Sequence, residues 1–251
     1  AVRRTPGEAA DPALAEALRR VPGEWKNKVR WLERPSSSTL EAFILPSDDP
    51  RVHAARRALS GRTKLDGTAR AQVDWGRCES RHQRARQEEA LGGKRPLTGW
   101  EEGGQCKLAD FAWNDWGKAQ VDRVLDLMDI NTLRLAAKGE DANYKTLVWN
   151  LSQNVDRSTA SSKPGVCPCL TPSMVPYVTN RGGPLIGLEA LSLQGIPVDD
   201  LLLTRESEDN MADLAGNAMS STVVGTCTLA ALCLAKDALA AAPWAAKRAY
   251  P

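Results

Sequence analysis

Histidine is almost missing from this sequence: His53 and His82 are the two in 251 residues. Phe and Tyr are scarce too, at two and three, so eight tryptophans carry most of an aromatic content of only 5%. Both histidines lie far from the one close cysteine pair, Cys167-Pro168-Cys169, and a structural zinc site needs four well-spaced ligands. The pair is therefore read as two loop cysteines. With Cys78, Cys106, Cys227 and Cys233 there are six cysteines, too sparse for a disulfide framework, and a reduced intracellular setting is expected. No run of eighteen or more apolar residues exists, so no membrane span is expected. The opening AVRRTPGEAADPALAEALRR lacks the apolar stretch of a secretory signal. The chain starts on Ala1 rather than Met, and it is expected to be a piece of something longer or a processed product. Neither sign of charge dominates, with Lys+Arg 33 against Asp+Glu 31. A chain that is 42% apolar and 25% charged has the composition of a folded protein with a sizeable core.

Residues 1–24 are rich in Ala, Arg, Glu and Pro and read as a flexible tail or linker, with a short helix possible over Ala13 to Arg20. From Trp25 the pattern changes. Val29 and Trp31, then Leu40 to Leu45, read as short strands around the Pro35-Ser36-Ser37-Ser38 turn. Ser47-Asp48-Asp49-Pro50 breaks the chain and can cap a helix over 51–60. Lys118 to Lys138 has apolar residues at three- and four-residue spacing, Val121, Val124, Leu125, Met128 and Leu135, and Gly139 can close that helix. Thr146 to Val155 reads as a strand running into a turn, and 158–168 as a loop. Pro172 and Pro176 limit 171–179 to an edge strand or loop. There is no internal repeat.

Residues 51–90 hold ten Lys+Arg and five acids, a local excess of five positive charges. Such an excess is either a solvated face or a surface that tracks phosphates by counterion release. On the second reading the candidates are Arg56, Arg57, Arg62, Lys64, Arg81, Arg84 and Arg86. Trp75 and Trp100 near this stretch fit nucleic acid without specifying it. Trp100, Trp113 and Trp116 sit in a Gly-rich stretch and are expected to pack rather than bind.

The C-terminal segment is the most informative. Leu185 to Gln194 is an amphipathic helix, closed by Gly195 in a left-handed cap and ended by Pro197. Thr204 can cap a second helix, with Glu206 and Glu208 in its first turn, ending near Gly216-Asn217. Ser220 or Ser221 opens a last helix to about Ala241 that is apolar all round, the pattern of a buried helix.

Gly187-Leu-Glu189-Ala-Leu-Ser-Leu-Gln194-Gly195-Ile-Pro197 resembles the ninth conserved motif of DNA cytosine-5 methyltransferases. Leu214-Ala-Gly216-Asn217-Ala218-Met219 resembles the tenth, and the two stand in the family's order. Trp149-Asn-Leu-Ser-Gln-Asn-Val-Asp-Arg157, Thr179-Asn-Arg-Gly-Gly-Pro184 and Asp213 to Met219 are similar to the fungal and algal maintenance branch, in which the methyltransferase is fused to a Swi/Snf-type ATPase. One departure stands out: the motif's Arg, six residues before its Glu, is here Gly183, and the nearest Arg is Arg181. The family's Pro-Cys-Gln nucleophile loop, Glu-Asn-Val segment and Phe-x-Gly-x-Gly cofactor loop are absent from these 251 residues.

The resemblance implies a C-terminal half of such an enzyme, inactive alone, with no catalytic residue of its own. It implies a mixed α/β fold: an irregular α+β target-recognition region over 25–180, then helices over 181–245 that would complete a Rossmann-like methyltransferase core. It implies double-stranded DNA as partner, contacted by the basic residues above and by Arg181. It also implies an N-terminal methyltransferase half, an ATPase module in the same polypeptide and a nuclear setting. S-adenosyl-L-methionine is the implied cofactor, lined by Asn217 and Met219 and shared with the missing half. The alternative is a non-catalytic DNA- or chromatin-binding module descended from such an enzyme. On the first reading the helices over 185–194 and 220–241 should offer apolar faces to a partner, which a free-standing binding module does not require. The chain alone is expected to be marginally stable, to self-associate or to need its N-terminal half, and a monomer by sedimentation that unfolds cooperatively in denaturant would overturn this.

Overall fold

The computed structural model describes residues 12–34, 38–61, 69–100, 106–161 and 163–241. Of the sequence-derived candidates, Arg62 and Lys64 lie outside the described residues. Residues 37–218 form one unit, and residues 1–36 with 219–251 form another.

In the larger unit, Asp49 caps α2 (Pro50–Ser60) by accepting from Arg51 N, with Pro50 in the first turn, where its missing N–H costs nothing. α3 (Ala69–Glu88) follows, then the short α4 (Asn114–Lys118) and α5 (Asp122–Ala137). Gly139 closes α5 with a φ of 72°, as its position suggests. Three short antiparallel strands, β1 (Val148–Asn150), β2 (Pro176–Val178) and β3 (Gly183–Pro184), stand in the order β1-β2-β3. α6 (Gly187–Leu193) and α7 (Glu208–Asn217) complete the unit. The architecture is mixed: helices around one small antiparallel sheet.

Several sequence expectations are corrected. β2 is the central strand, not an edge. Pro176 occupies its first position and lends its carbonyl to Leu185 N at 2.9 Å, so the lost donor leaves no gap in the ladder. Leu40 to Phe43 is a turn of 3-10 helix, not a strand. Ser207, not Thr204, caps α7, accepting from Asn210 N at 3.2 Å. The Glu206 carboxylate instead binds Thr204 N and Arg205 N, which holds those residues in a bend upstream of the helix.

The core is built around aromatic rings. Trp116 stacks on Tyr177 with centroids 6.1 Å apart and planes 7° off parallel, and Trp149 meets the same ring at 5.5 Å. Burial pushes the Tyr177 phenol well above its ordinary range. The expectation that Trp113 and Trp116 pack holds, since both are buried.

α5 departs from the apolar stripe. Asp126 and Asp129, one turn apart, are both buried. Asp126 accepts from Arg86 Nη2 at 2.7 Å, from Arg95 and from His82 Nδ1 at 2.8 Å. Asp129 accepts from Leu97 N at 2.7 Å, Thr98 N at 3.2 Å and the Thr98 hydroxyl. Burial raises the Asp129 carboxyl above its usual range against these hydrogen bonds. The two carboxylates tie α3 and the 94–98 loop to α5.

The smaller unit contains α1 (Pro12–Leu32) and α8 (Ser221–Ala241), which pack on each other, with Trp25 Nε1 donating to Cys227 O at 3.2 Å. Residues 12–24, read as tail, and Val29 and Trp31, read as strand, are all helix. Pro22-Gly23 hides the helical period, because both are poor helix-interior residues. α8 has the foreseen bounds; it is not enclosed as its all-round apolar pattern suggests, but it leaves apolar residues open as a helix awaiting a partner should, with Val223, Leu229 and Leu232 60%, 49% and 52% exposed. By length and composition alone, the stretch Glu208–Asp237 passes as a membrane span, contrary to the sequence reading. Its Gly, Asn, Ser and Thr residues interrupt any apolar run, while the absence of charge from 214 to 235 keeps it apolar on average. α6, by contrast, is covered within its own unit, with Leu185, Ile186, Leu188 and Leu191 all buried.

His82 gives a pH test. Burial, then the charges of Arg123, Arg86 and Arg134, lower its imidazole to about 4. Asp126 beside it already shares its charge with two guanidiniums, so the ring stays neutral and donates from Nδ1. A histidine titrating near 6.5 when unfolded then contributes stability that is complete above that pH and is lost as pH falls toward 4, about 3 kcal/mol in all. Urea unfolding from pH 7 to pH 5 should show about 2 kcal/mol of this loss in the wild type, and a much smaller one in His82→Asn.

Candidate functional site

The residues that resemble the ninth motif meet at one buried carboxylate. Glu189, in the first turn of α6, accepts from Arg181 Nη1 at 2.5 and 2.6 Å. It also accepts from Leu45 N at 2.9 Å and from Ile186 N at 3.0 Å. The side chains of Arg181 and Glu189 are 5% and 0% exposed. Arg181, two residues before Gly183, thus reaches the Glu.

The geometry of the turn explains the departure at position 183. Gly182 has a φ of 70°, and a Cβ there would stand 2.3 Å from Asp110 N. A Cβ on Gly183 would stand 2.5 Å from the Trp113 ring. No side chain fits at the position where the family has its Arg. Trp113 takes that place, with the Arg181 guanidinium 5.8 Å from its ring and Arg56 at 5.1 Å. Thr179 and Asn180 hold the approach: Thr179 Oγ1 donates to Lys145 O at 3.0 Å, and Asn180 Nδ2 donates to Thr146 Oγ1 at 2.8 Å.

α6 is locked to α7. Gly187 N donates to Glu208 Oε2 at 2.7 Å, and Gln194 Nε2 donates to Ala215 O at 2.8 Å. A Cβ on Gly216 would lie 2.2 Å from Pro172 N, so α7 rests directly on the backbone of the 171–172 turn. Asn217 ends α7, exposed, with its Nδ2 donating to Asp213 O at 2.9 Å. Met219 is 74% exposed.

The basic candidates fall into three groups. Arg86 and Arg181 are interior residues, each paired with a buried carboxylate, which corrects their assignment to a DNA-facing surface. Arg56 is half-buried between Asp110, at 3.3 Å, and Trp113. Arg57, Arg81 and Arg84 are exposed, and Arg84 bonds Asp156 at 3.1 Å. Sequence reasoning missed the Trp113 platform and the two α5 aspartates. Neither leaves a periodic signal, because each is defined by a long-range contact. Among the described residues, no group of three or more His, Cys, Asp or Glu is placed to hold a metal ion.

Removing one partner of a buried ion pair strands the other charge, at roughly 3–5 kcal/mol. Glu189→Gln should therefore lower unfolding stability by about 3 kcal/mol. The double variant Arg181→Met/Glu189→Met should lose much less than the two single variants summed. Denaturant titrations of the wild type, Arg181→Met, Glu189→Met and the double variant check the coupling, and additive losses would contradict it.

No family model matches the chain. It is 60% identical over 213 residues to a protein of Cryptococcus neoformans var. grubii named DNA (cytosine-5-)-methyltransferase DMT5, covering 84% of this chain and 9% of that protein. It is 36% identical over 191 residues to a protein of the same name from Verticillium dahliae, covering 76% of this chain and 8% of that protein. The chain spans less than a tenth of the length of these curated relatives.

Proposed function

From its similarity to two proteins named as DNA cytosine-5 methyltransferases, we propose that this chain is the target-recognition and cofactor-closing segment of such an enzyme. The observation that carries the reading is the Arg181–Glu189 pair. It joins the ninth-motif Glu to an Arg of the preceding region, the linkage that the family uses to support target recognition, through an Arg that the sequence spacing alone does not assign.

The segment binds and orients; it does not perform the bond-making step. That step needs a thiolate to attack cytosine C6, so that C5 can take a methyl group. Cys167 cannot serve, because burial and then its neighbour Cys169 push its thiol up to about 11. Neither it nor Cys169 stands in a Pro-Cys-Gln loop. The nucleophile belongs to a part of the enzyme beyond this chain, and the nine tenths of the relatives' length not spanned here leaves room for it and for an ATPase module. The setting is nuclear.

S-adenosyl-L-methionine supplies the methyl group from its sulfonium. The tenth-motif residues Asn217 and Met219 would each contact it. Asn217 commits its amide N–H to its own helix, which leaves the amide oxygen to accept, and Met219 presents an apolar, polarisable side chain to solvent. The exposed apolar side of α8 suits a methyltransferase core supplied by the upstream half. The second reading, a DNA-binding module that has lost its chemistry, is favoured by the complete core that residues 37–218 build without a partner.

Methyl transfer from labelled S-adenosyl-L-methionine to hemimethylated duplex DNA, with this chain alone and with a polypeptide carrying the upstream half, separates the two. Activity only in the mixture is expected. Activity of the chain alone would overturn the assignment of the nucleophile. Inactivity in both, with DNA binding retained, would favour the binding module.

A further inference from the structure

Two clefts open side by side in the larger unit. One has a volume of about 850 Å³ and the other about 630 Å³, and they share Leu135, Lys138 and Ala160 as a common wall. The wall is held in place. Ala160 bridges to Trp149 of β1, Asn150 N donates to Thr159 O at 2.6 Å, and Ser161 N donates to Val148 O at 3.1 Å.

The charges around the clefts are unevenly engaged. Among the acids, Glu89 is bound by Arg134 at 2.5 and 2.8 Å, and Asp156 and Glu88 lie 3.1 and 3.9 Å from Arg84. Asp141 accepts from Asn143 N in its own turn at 2.8 Å. Glu140 remains exposed at the rim. Lys138, Lys145, Lys163 and Arg157 are exposed and make no ion pair within 4 Å among the described residues, although the Lys138 charge, after Arg134, helps hold the Glu89 carboxyl below its usual range. Over 51–90, Arg51, Arg56, Arg84 and Arg86 are each paired with a carboxylate, while Arg57, Arg77 and Arg81 are exposed without an ion pair among the described residues.

Two buried donors line the floor without partners. Asn131, only 4% exposed, uses its Oδ1 to accept from Thr159 Oγ1 at 2.9 Å, while its Nδ2 is unpaired. Ser161 Oγ is also buried and unpaired. Beside the lysines, Tyr144 is 81% exposed. Uncommitted cations, unfilled donors and an exposed ring suit an acceptor-rich, polyanionic strand, with phosphates meeting the cations and the ring lying against sugar or base.

We propose that these clefts, rather than the α2–α3 basic face, track the phosphate backbone of duplex DNA, through Lys138, Lys145, Lys163 and Arg157, with Tyr144 against the same strand. The proposal rests on the reading of the chain as a target-recognition segment and says where the duplex lies on it.

The test is equilibrium binding of the full chain to a short fluorescent DNA duplex, from about 50 to about 200 mM salt, where each neutralised phosphate adds about 0.9 to the slope of log affinity against log salt. The triple variant Lys138→Gln/Lys145→Gln/Lys163→Gln should bind at least about tenfold more weakly at the low-salt end, on duplexes of any sequence, with a slope shallower by about 3. The exposed pair Arg57→Gln/Arg81→Gln should stay within about twofold of wild type. The single reversal Lys163→Glu should act in the same direction as the triple variant, with circular dichroism verifying its fold. Wild-type affinity and slope in the triple variant would overturn the inference alone. So would a loss in the arginine pair as large as in the triple variant. A wild-type chain with no salt-dependent affinity for DNA would overturn both the inference and the DNA contact in the proposed function.

Discussion

Glu189 is a carboxylate without access to water, and the motif-bearing half of the larger unit is arranged around that fact. A buried charge is tolerated only when it is paired and its remaining acceptor capacity is used. One guanidinium and two backbone amides, from Leu45 and Ile186, meet that need and so place three segments relative to one another. Because buried pairs add little net stability over apolar isosteres, the gain is in register. Arg181 must enter over Trp113, and the chain that delivers it passes so near Asp110 and the ring that only glycines fit at 182 and 183.

The same economy governs α5. Asp126 and Asp129 draw Arg86, Arg95 and the 97–98 backbone inward, so part of the apparent basic surface is spent inside the protein. A count of charges along 51–90 therefore overstates what is free to meet a phosphate. An arginine bonded to a neighbouring carboxylate must give up that bond to neutralise an external anion, whereas an unpaired lysine gives up only water. By this criterion free positive charge lies at Arg57, Arg77 and Arg81 on α2 and α3 and also near 138–163, where the sequence shows no basic run.

How much could be read beforehand follows from the range of each signal. α2, α5, α6 and α8 announce themselves by caps, spacing and a closing glycine, all local features, and they stand close to where those features put them. The ninth-motif Glu and the tenth-motif Asn are legible as words. Their surroundings are not: Arg181 at the wrong spacing, Trp113 in the place of a side chain and Pro176 in a central strand are each decided by contacts between distant segments. α1 was obscured for a different reason. Its Pro22-Gly23 breaks a helical period that packing against α8 restores.

The two motifs differ in how far this chain completes them. The apolar residues of α6 are buried by the chain's own α7 and 3-10 segments, and its charged residue is fully paired, so the ninth motif is finished here. The tenth is not. Asn217 ends its helix in solvent, Met219 is exposed, and α8 continues with exposed valines and leucines. Burying such side chains is worth roughly 1.5–3 kcal/mol each, a driving force still unspent in this chain. On the proposed reading, recognition of the duplex can be built into the segment by itself, while closure of the cofactor pocket waits for the polypeptide that covers α8. The step that brings the methyl donor into place is then coupled to the step that buries this helix.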